Sequence, residues 1–200
     1  MISLGTLFWL MIVLFGVIGS LRGWTKEVIA TSGLVLSLFF INFAAQGIVN
    51  FVSGSNPESA IFGATIERRH FYALAFIHLA IAFFSYQGPA FAGTRVRDRL
   101  RIRDSVQDKI LGGLIGCLNG YLLLGAIWAF LEYRVIGRGE WEILGPGVPY
   151  VFDPSTITRP LIDGGEAAIA IVNNLPIPLL SPYLPILVVV VFLFVIVVMI

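Results

Sequence analysis

Residues 110–131 read ILGGLIGCLNGYLLLGAIWAFL: twenty-two positions with no charge and one strongly polar side chain, Asn119. As a helix this stretch rises about 33 Å at about 1.5 Å per residue, enough to cross about 30 Å of hydrocarbon. Inside lipid the backbone must satisfy its own hydrogen bonds, so such a segment is helical. Three further stretches read the same way: Ile2–Leu21, Val28–Phe51 and Phe71–Gln87. A fifth, Tyr183–Ile200, ends on a run without a polar side chain and reaches about 27 Å. The expected fold is an all-α membrane protein of four transmembrane helices plus this fifth. It carries a basic cytoplasmic segment at Thr94–Lys109 and a longer outer segment at Glu132–Pro182. In domain terms, residues 1–131 form a four-helix membrane unit, 132–182 an outer-side segment and 183–200 the last span.

Composition agrees. Hydrophobic residues make up 58% of the chain and charged ones 12%, with a mean hydropathy of +0.91. A soluble domain carries about 25% charged residues, so this chain cannot coat a globule with polar surface. A net charge of +1 argues against nucleic-acid binding. The single cysteine, Cys117, sits in an apolar run and reads as a packing residue. Ile2–Leu21 lacks a basic leader and a cleavage signature, and reads as a retained span rather than a secretory signal.

Orientation follows from the basic residues. Arg22, Lys26, Arg95, Arg97, Arg99, Arg101, Arg103 and Lys109 fall in loops on one side; Arg68, Arg69, Arg134 and Arg138 fall near helix ends on the other. Eight against four places 94–109 in the cytoplasm, with the N-terminus and 132–182 outside. The five arginines between Arg95 and Arg103 suit anionic lipid headgroups. In the outer segment, Gly145–Pro149 reads as turns. Leu161, Ile162, Ile169 and Val172 suggest an interfacial helix.

Glycine spacing supplies the packing signal. Gly112, Gly113, Gly116 and Gly120 line the fourth span, and Gly16 and Gly19 the first. Small residues let helix backbones approach where lipid offers no hydrophobic driving force. The close neighbour lies within this chain or in another; the intrachain reading is preferred. Asn42, Gln46 and Asn50 share a face of the second span, and Asn42, His78 and Asn119 each fall near mid-helix. Polar groups there turn inward. They serve as interhelical hydrogen-bond glue, or as a conduit or ligand site, and should lie close enough to interact. His78 is the one candidate for a cofactor ligand, as an imidazole to a haem-like metal; no cofactor and no metal site is otherwise expected. No nucleophile–base pairing, phosphate loop or metal-ligand spacing is visible, so no enzyme is expected.

Two stretches together resemble a known family. Gly19-Ser20-Leu21-Arg22-Gly23-Trp24-Thr25-Lys26-Glu27, with Gly33 beyond, is similar to the signature joining the first two spans of the colicin V production (CvpA) family. Asp108-Lys109-Ile110-Leu111-Gly112-Gly113-Leu114-Ile115-Gly116, running on to Gly120, resembles that family's approach to its fourth span. The match covers roughly residues 1–131. The resemblance implies a multi-pass bacterial inner-membrane protein linked to production or export of a toxin peptide, without established enzymatic activity. The outer segment and fifth run exceed the usual four-span plan. They favour an accessory subunit docking membrane-protein partners through its glycine faces and residues 132–200. A channel or transporter component built on the polar layer is the alternative.

Overall fold

The computed structural model describes residues 4–53, 64–91, 106–145, 150–152 and 165–199. Four long helices come first: α1 (Leu4–Arg22), α2 (Trp24–Ser53), α3 (Ala64–Phe91) and α4 (Val106–Glu132). A two-stranded antiparallel hairpin follows, β1 (Tyr133–Gly137) and β2 (Glu140–Ile143), with Tyr133 opposite Ile143. Helix α5 (Gly165–Asn173), the short α6 (Pro176–Leu180), a 3-10 turn at Ser181–Tyr183 and α7 (Leu184–Met199) complete the described chain. Among the described residues, five helical segments are long and apolar enough to cross a membrane: Leu4–Arg22, Trp24–Val52, Arg68–Gln87, Val106–Glu132 and Pro176–Val197. The chain is an all-α membrane protein with a small β-hairpin.

Helix α2 is the axis of the bundle. It touches α1, α3, α4 and α7, and its Leu34, Leu38 and Ile41 are fully buried. Large apolar side chains also point outward, among them Trp9 and Val13 on α1, Phe76 and Phe83 on α3, and Leu114 on α4. In water such a surface would be a liability; in lipid it is the solvent-facing side.

Helices α1 and α4 make the closest crossing. A Cβ at Gly19 would collide with the Gly112 carbonyl oxygen and the Gly116 Cα, and one at Gly116 with the Phe15 carbonyl oxygen. Gly16 faces Cys117 Sγ, Gly113 faces Gly16, and Gly120 lies against Phe15 and Ile12. The glycine faces of the two helices thus meet inside this chain and are covered there, which removes them as surfaces for an outside partner. Cys117 fills the groove opposite Gly16.

Several boundaries differ from the sequence reading. Helix α2 begins at Trp24 and α4 at Val106, each four residues earlier than the apolar run alone suggests, because helix ends extend into polar flanks. The hairpin was not foreseen, although Tyr133, Val135, Trp141 and Ile143 alternate around Gly137-Arg138-Gly139. In the expected interfacial helix, Val172 is buried while Ile169 faces out, so the two do not share one buried stripe. Leu161 and Ile162 lie outside the described residues, as do Arg95, Arg97, Arg99, Arg101 and Arg103.

Candidate functional site

The turn between α1 and α2 is set by one residue. Gly23 stands at φ +85°, and a Cβ there would come within 2.7 Å of Asp108 Oδ2. Its N–H donates to the Gly19 carbonyl at 3.0 Å, closing α1, while its own carbonyl accepts from the Glu27 N–H at 3.3 Å, opening α2. Only glycine combines that backbone conformation with so close a neighbour. The Trp24 N–H, at the first position of α2 where a helix supplies no acceptor of its own, donates to Asp108 Oδ1 at 3.1 Å. A carboxylate borrowed from α4 therefore caps α2, and favours the positive end of that helix. Lys109 beside it is exposed.

One turn further in lies a buried polar knot. Arg22 Nη1 donates to Glu27 Oε1 at 2.8 Å and Nη2 to the Tyr86 carbonyl at 3.1 Å, with the guanidinium 4.4 Å from the Tyr86 ring centre. Glu27 is 1% exposed, and Asn119 Nδ2 donates to its Oε2 at 2.8 Å and to its main-chain carbonyl at 3.0 Å. Thr31 Oγ1 donates to Asn119 Oδ1 at 2.7 Å. The knot ties α1, α2, α3 and α4 together. Gly33, next along α2, lies against Ser85 of α3.

Two more polar stations follow along α2. His78 Nδ1 lies 2.8 Å from Ser37 Oγ, and the ring stands edge-on to Phe130. His78 is fully buried, and its Nε2 has no hydrogen-bond partner among the described residues. Further on, Asn42 Oδ1 accepts from Trp141 Nε1 at 2.8 Å and from Ser181 Oγ at 2.9 Å. Thr31, Ser37 and Asn42 are six and five positions apart, so the stations sit about 9 Å and about 8 Å apart along the helix.

The expectation of one polar layer formed by Asn42, His78 and Asn119 is therefore corrected. Equal distance from the span ends did not give equal depth, because α2 is thirty residues long and the helices are offset against one another. Gln46 and Asn50 are exposed rather than turned inward with Asn42. They fall about 33 Å and about 39 Å along α2, where a helix of this length has outrun the hydrocarbon.

A fourth polar group was missed altogether. Glu132, at the end of α4, is fully buried, accepts from Tyr150 Oη at 3.0 Å, and its main-chain carbonyl accepts from the Leu144 N–H at 2.8 Å. Beside it, Tyr133 Oη donates to the Val172 carbonyl at 3.2 Å; burial, reinforced by the Glu132 charge, pushes that phenol above its ordinary pKa. Thr31, Tyr86, Ser37, Trp141 and Ser181 were also passed over. Ser and Thr at helix positions carry no distinctive sequence signal, but Trp141 within an alternating strand pattern did.

Residues 4–141 match the family model described as Colicin V production protein. No curated protein and no solved structure shows a significant match to the chain. The family match takes in α1 to α4 and the first strand, including the Gly23 turn, the Arg22–Glu27–Asn119 knot and the α1–α4 glycine crossing. The chain therefore belongs to the colicin V production protein family.

Proposed function

We propose that this chain is a non-catalytic, multi-pass factor of the bacterial inner membrane, an accessory subunit of a membrane complex that takes part in production or export of a toxin peptide. The family name supports the process. The observation that carries the accessory role is the use of the intramembrane polar groups. Arg22, Glu27, Thr31 and Asn119 bond to one another, Ser37 to His78, and Asn42 to Trp141 and Ser181. Fully buried Leu34, Leu38 and Ile41 lie between these stations. Such an arrangement fixes helices and interrupts a polar path, so it favours glue over a conduit. With the glycine faces covered within the chain, the segment 132–200 remains for docking. Helix α7 packs on α2, and 6% of the Pro176–Val197 window is buried.

Purification from native membranes in a mild detergent, with identification of co-migrating proteins, tests this. A stoichiometric partner that is lost when residues 184–200 are deleted is expected. A chain that migrates alone and conducts ions in proteoliposomes would overturn the reading in favour of a channel.

A further inference from the structure

At the bundle end remote from the Gly23 turn, the hairpin and the α6–α7 corner enclose a cleft of about 450 Å³. Its lining includes Asn42, Arg138, Gly139, Trp141, Ser181 and Pro182. That volume falls within the roughly 300–1,000 Å³ usual for small-molecule sites. Among the lining residues Arg138 is the one with a charge. The guanidinium carbon lies 3.6 Å from the centre of the Phe43 ring. A guanidinium stacked by its face keeps its five N–H donors at the edge, where they are open to a ligand in the plane. Glu140 does not line the cleft, and its carboxylate lies over Gly137. Glu142 is paired with Arg134.

The remaining polar groups point the same way. Asn42 Oδ1 accepts from Trp141 Nε1, and the single Ser181 hydroxyl proton is shared between Asn42 Oδ1 at 2.9 Å and the Gly139 carbonyl at 2.8 Å. Asn42 Nδ2 makes one long contact, 3.4 Å to the Ser181 carbonyl, which leaves donor capacity. The cleft thus carries one charge, a positive one, beside a spare amide donor. Below it runs apolar helix surface: Phe43 and Phe40 on α2 are 54% and 46% exposed, and Ile186 and Val190 on α7 are exposed too. Trp141 and Tyr183 sit at the same end, the residue types that settle at the headgroup level of a bilayer.

We infer that this cleft binds the phosphate headgroup of an anionic amphiphile, with Arg138 and Asn42 Nδ2 as donors and the acyl chains lying along the Phe40–Phe43 face of α2. An oxyanion satisfies the unused donors, and the adjoining apolar surface distinguishes a lipid from the free anion. Lys at position 138 would keep the charge over the Phe43 ring but lose the five-donor fork.

The test uses the full chain in neutral detergent and the part of the tryptophan fluorescence that disappears in Trp141→Phe. Brominated phosphatidylglycerol should quench that component with an affinity about fivefold higher than brominated phosphatidylcholine, the scale expected for one basic residue at an anionic surface. Arg138→Gln should abolish the preference, and Arg138→Lys should retain part of it. Arg134→Gln, outside the cleft, should leave it intact. Circular dichroism on each variant reports that the fold is kept. Millimolar inorganic phosphate should fail to relieve the quenching; relief at low millimolar phosphate would replace the lipid with the free anion as occupant. Equal quenching by the two lipids, or a preference that survives Arg138→Gln, would overturn the inference.

Discussion

Asn119 grips Glu27 at two atoms: one amide nitrogen donates to the carboxylate at 2.8 Å and to the main-chain carbonyl at 3.0 Å. The carboxylate bonds Arg22 with its other oxygen, so a residue of α4 and one of α1 share a single buried anion on α2. Without those donors the charge would be stranded away from water, since Glu27 is 1% exposed. The geometry also explains why Asn119 stands in the otherwise apolar stretch 110–131.

Removing one partner of such a set should cost more than the bond itself. Asn119→Leu should lower the thermal unfolding midpoint in detergent by the equivalent of about 2 kcal/mol, the scale for a stranded buried hydrogen-bonding group. Glu27→Leu should cost about 3 kcal/mol, because it leaves the Arg22 guanidinium partly buried without its counter-ion. Glu27→Gln should fall between wild type and Glu27→Leu. An unfolding midpoint indifferent to all three would show that the knot holds nothing.

The α1–α4 crossing gives a sharper contrast. Gly116→Leu must push α1 and α4 apart, since even a Cβ at Gly116 meets the Phe15 carbonyl and Gly19 backbone. Overpacking of this kind costs about 1–3 kcal/mol, and more where backbone rather than side chain must move. Leu118→Ala trims an exposed side chain and should cost far less. Comparable midpoints for the two variants in the same detergent would count against the crossing.

Much of this was open to inspection in the sequence. Uncharged runs fixed the spans because hydrocarbon tolerates nothing else. Four-residue glycine spacing pointed to a close crossing, whereas the tie between Asp108 and the start of α2 joins residues eighty-four positions apart and carries no local signal. What was hidden is which helix stands beside which, and at what depth. Asn42, His78 and Asn119 looked level when counted from their own span ends. Depth depends on how α2, α3 and α4 are offset against one another, and no single helix records that. Glu132 was assigned to the outer segment because a carboxylate usually ends a span; its burial depends on Tyr150 and Leu144, residues distant from any motif.

His78 offers a test of glue. Asparagine can place a polar atom close to the position of the imidazole Nδ1, so His78→Asn should keep the Ser37 contact and remain near wild-type stability. His78→Leu should cost about 0.6–2 kcal/mol, the range for an interhelical hydrogen bond in lipid. Ser37→Ala should cost a similar amount, and the double variant little more than either alone, because both act through one bond. Strict additivity of the two losses in a double-mutant cycle would separate them.

The last prediction concerns which way the bundle faces. Asp108 bonds the start of α2, and the hairpin meets Asn42 far along the same helix, so residues beside these contacts mark opposite ends of the bundle. The excess of Lys and Arg around Lys26 and 95–109 predicts a cytoplasmic first end, because basic residues are retained there during insertion. Lys109 and Glu140 are both exposed, one near each end, and suit single-cysteine labelling in a Cys117→Ala background. In intact cells an impermeant maleimide should modify Glu140→Cys and spare Lys109→Cys; after permeabilisation both should react. Labelling of Lys109→Cys from outside, with Glu140→Cys protected, would invert the protein. It would move Arg138 and its cleft to the cytoplasmic leaflet, where anionic lipids would then have to reach it.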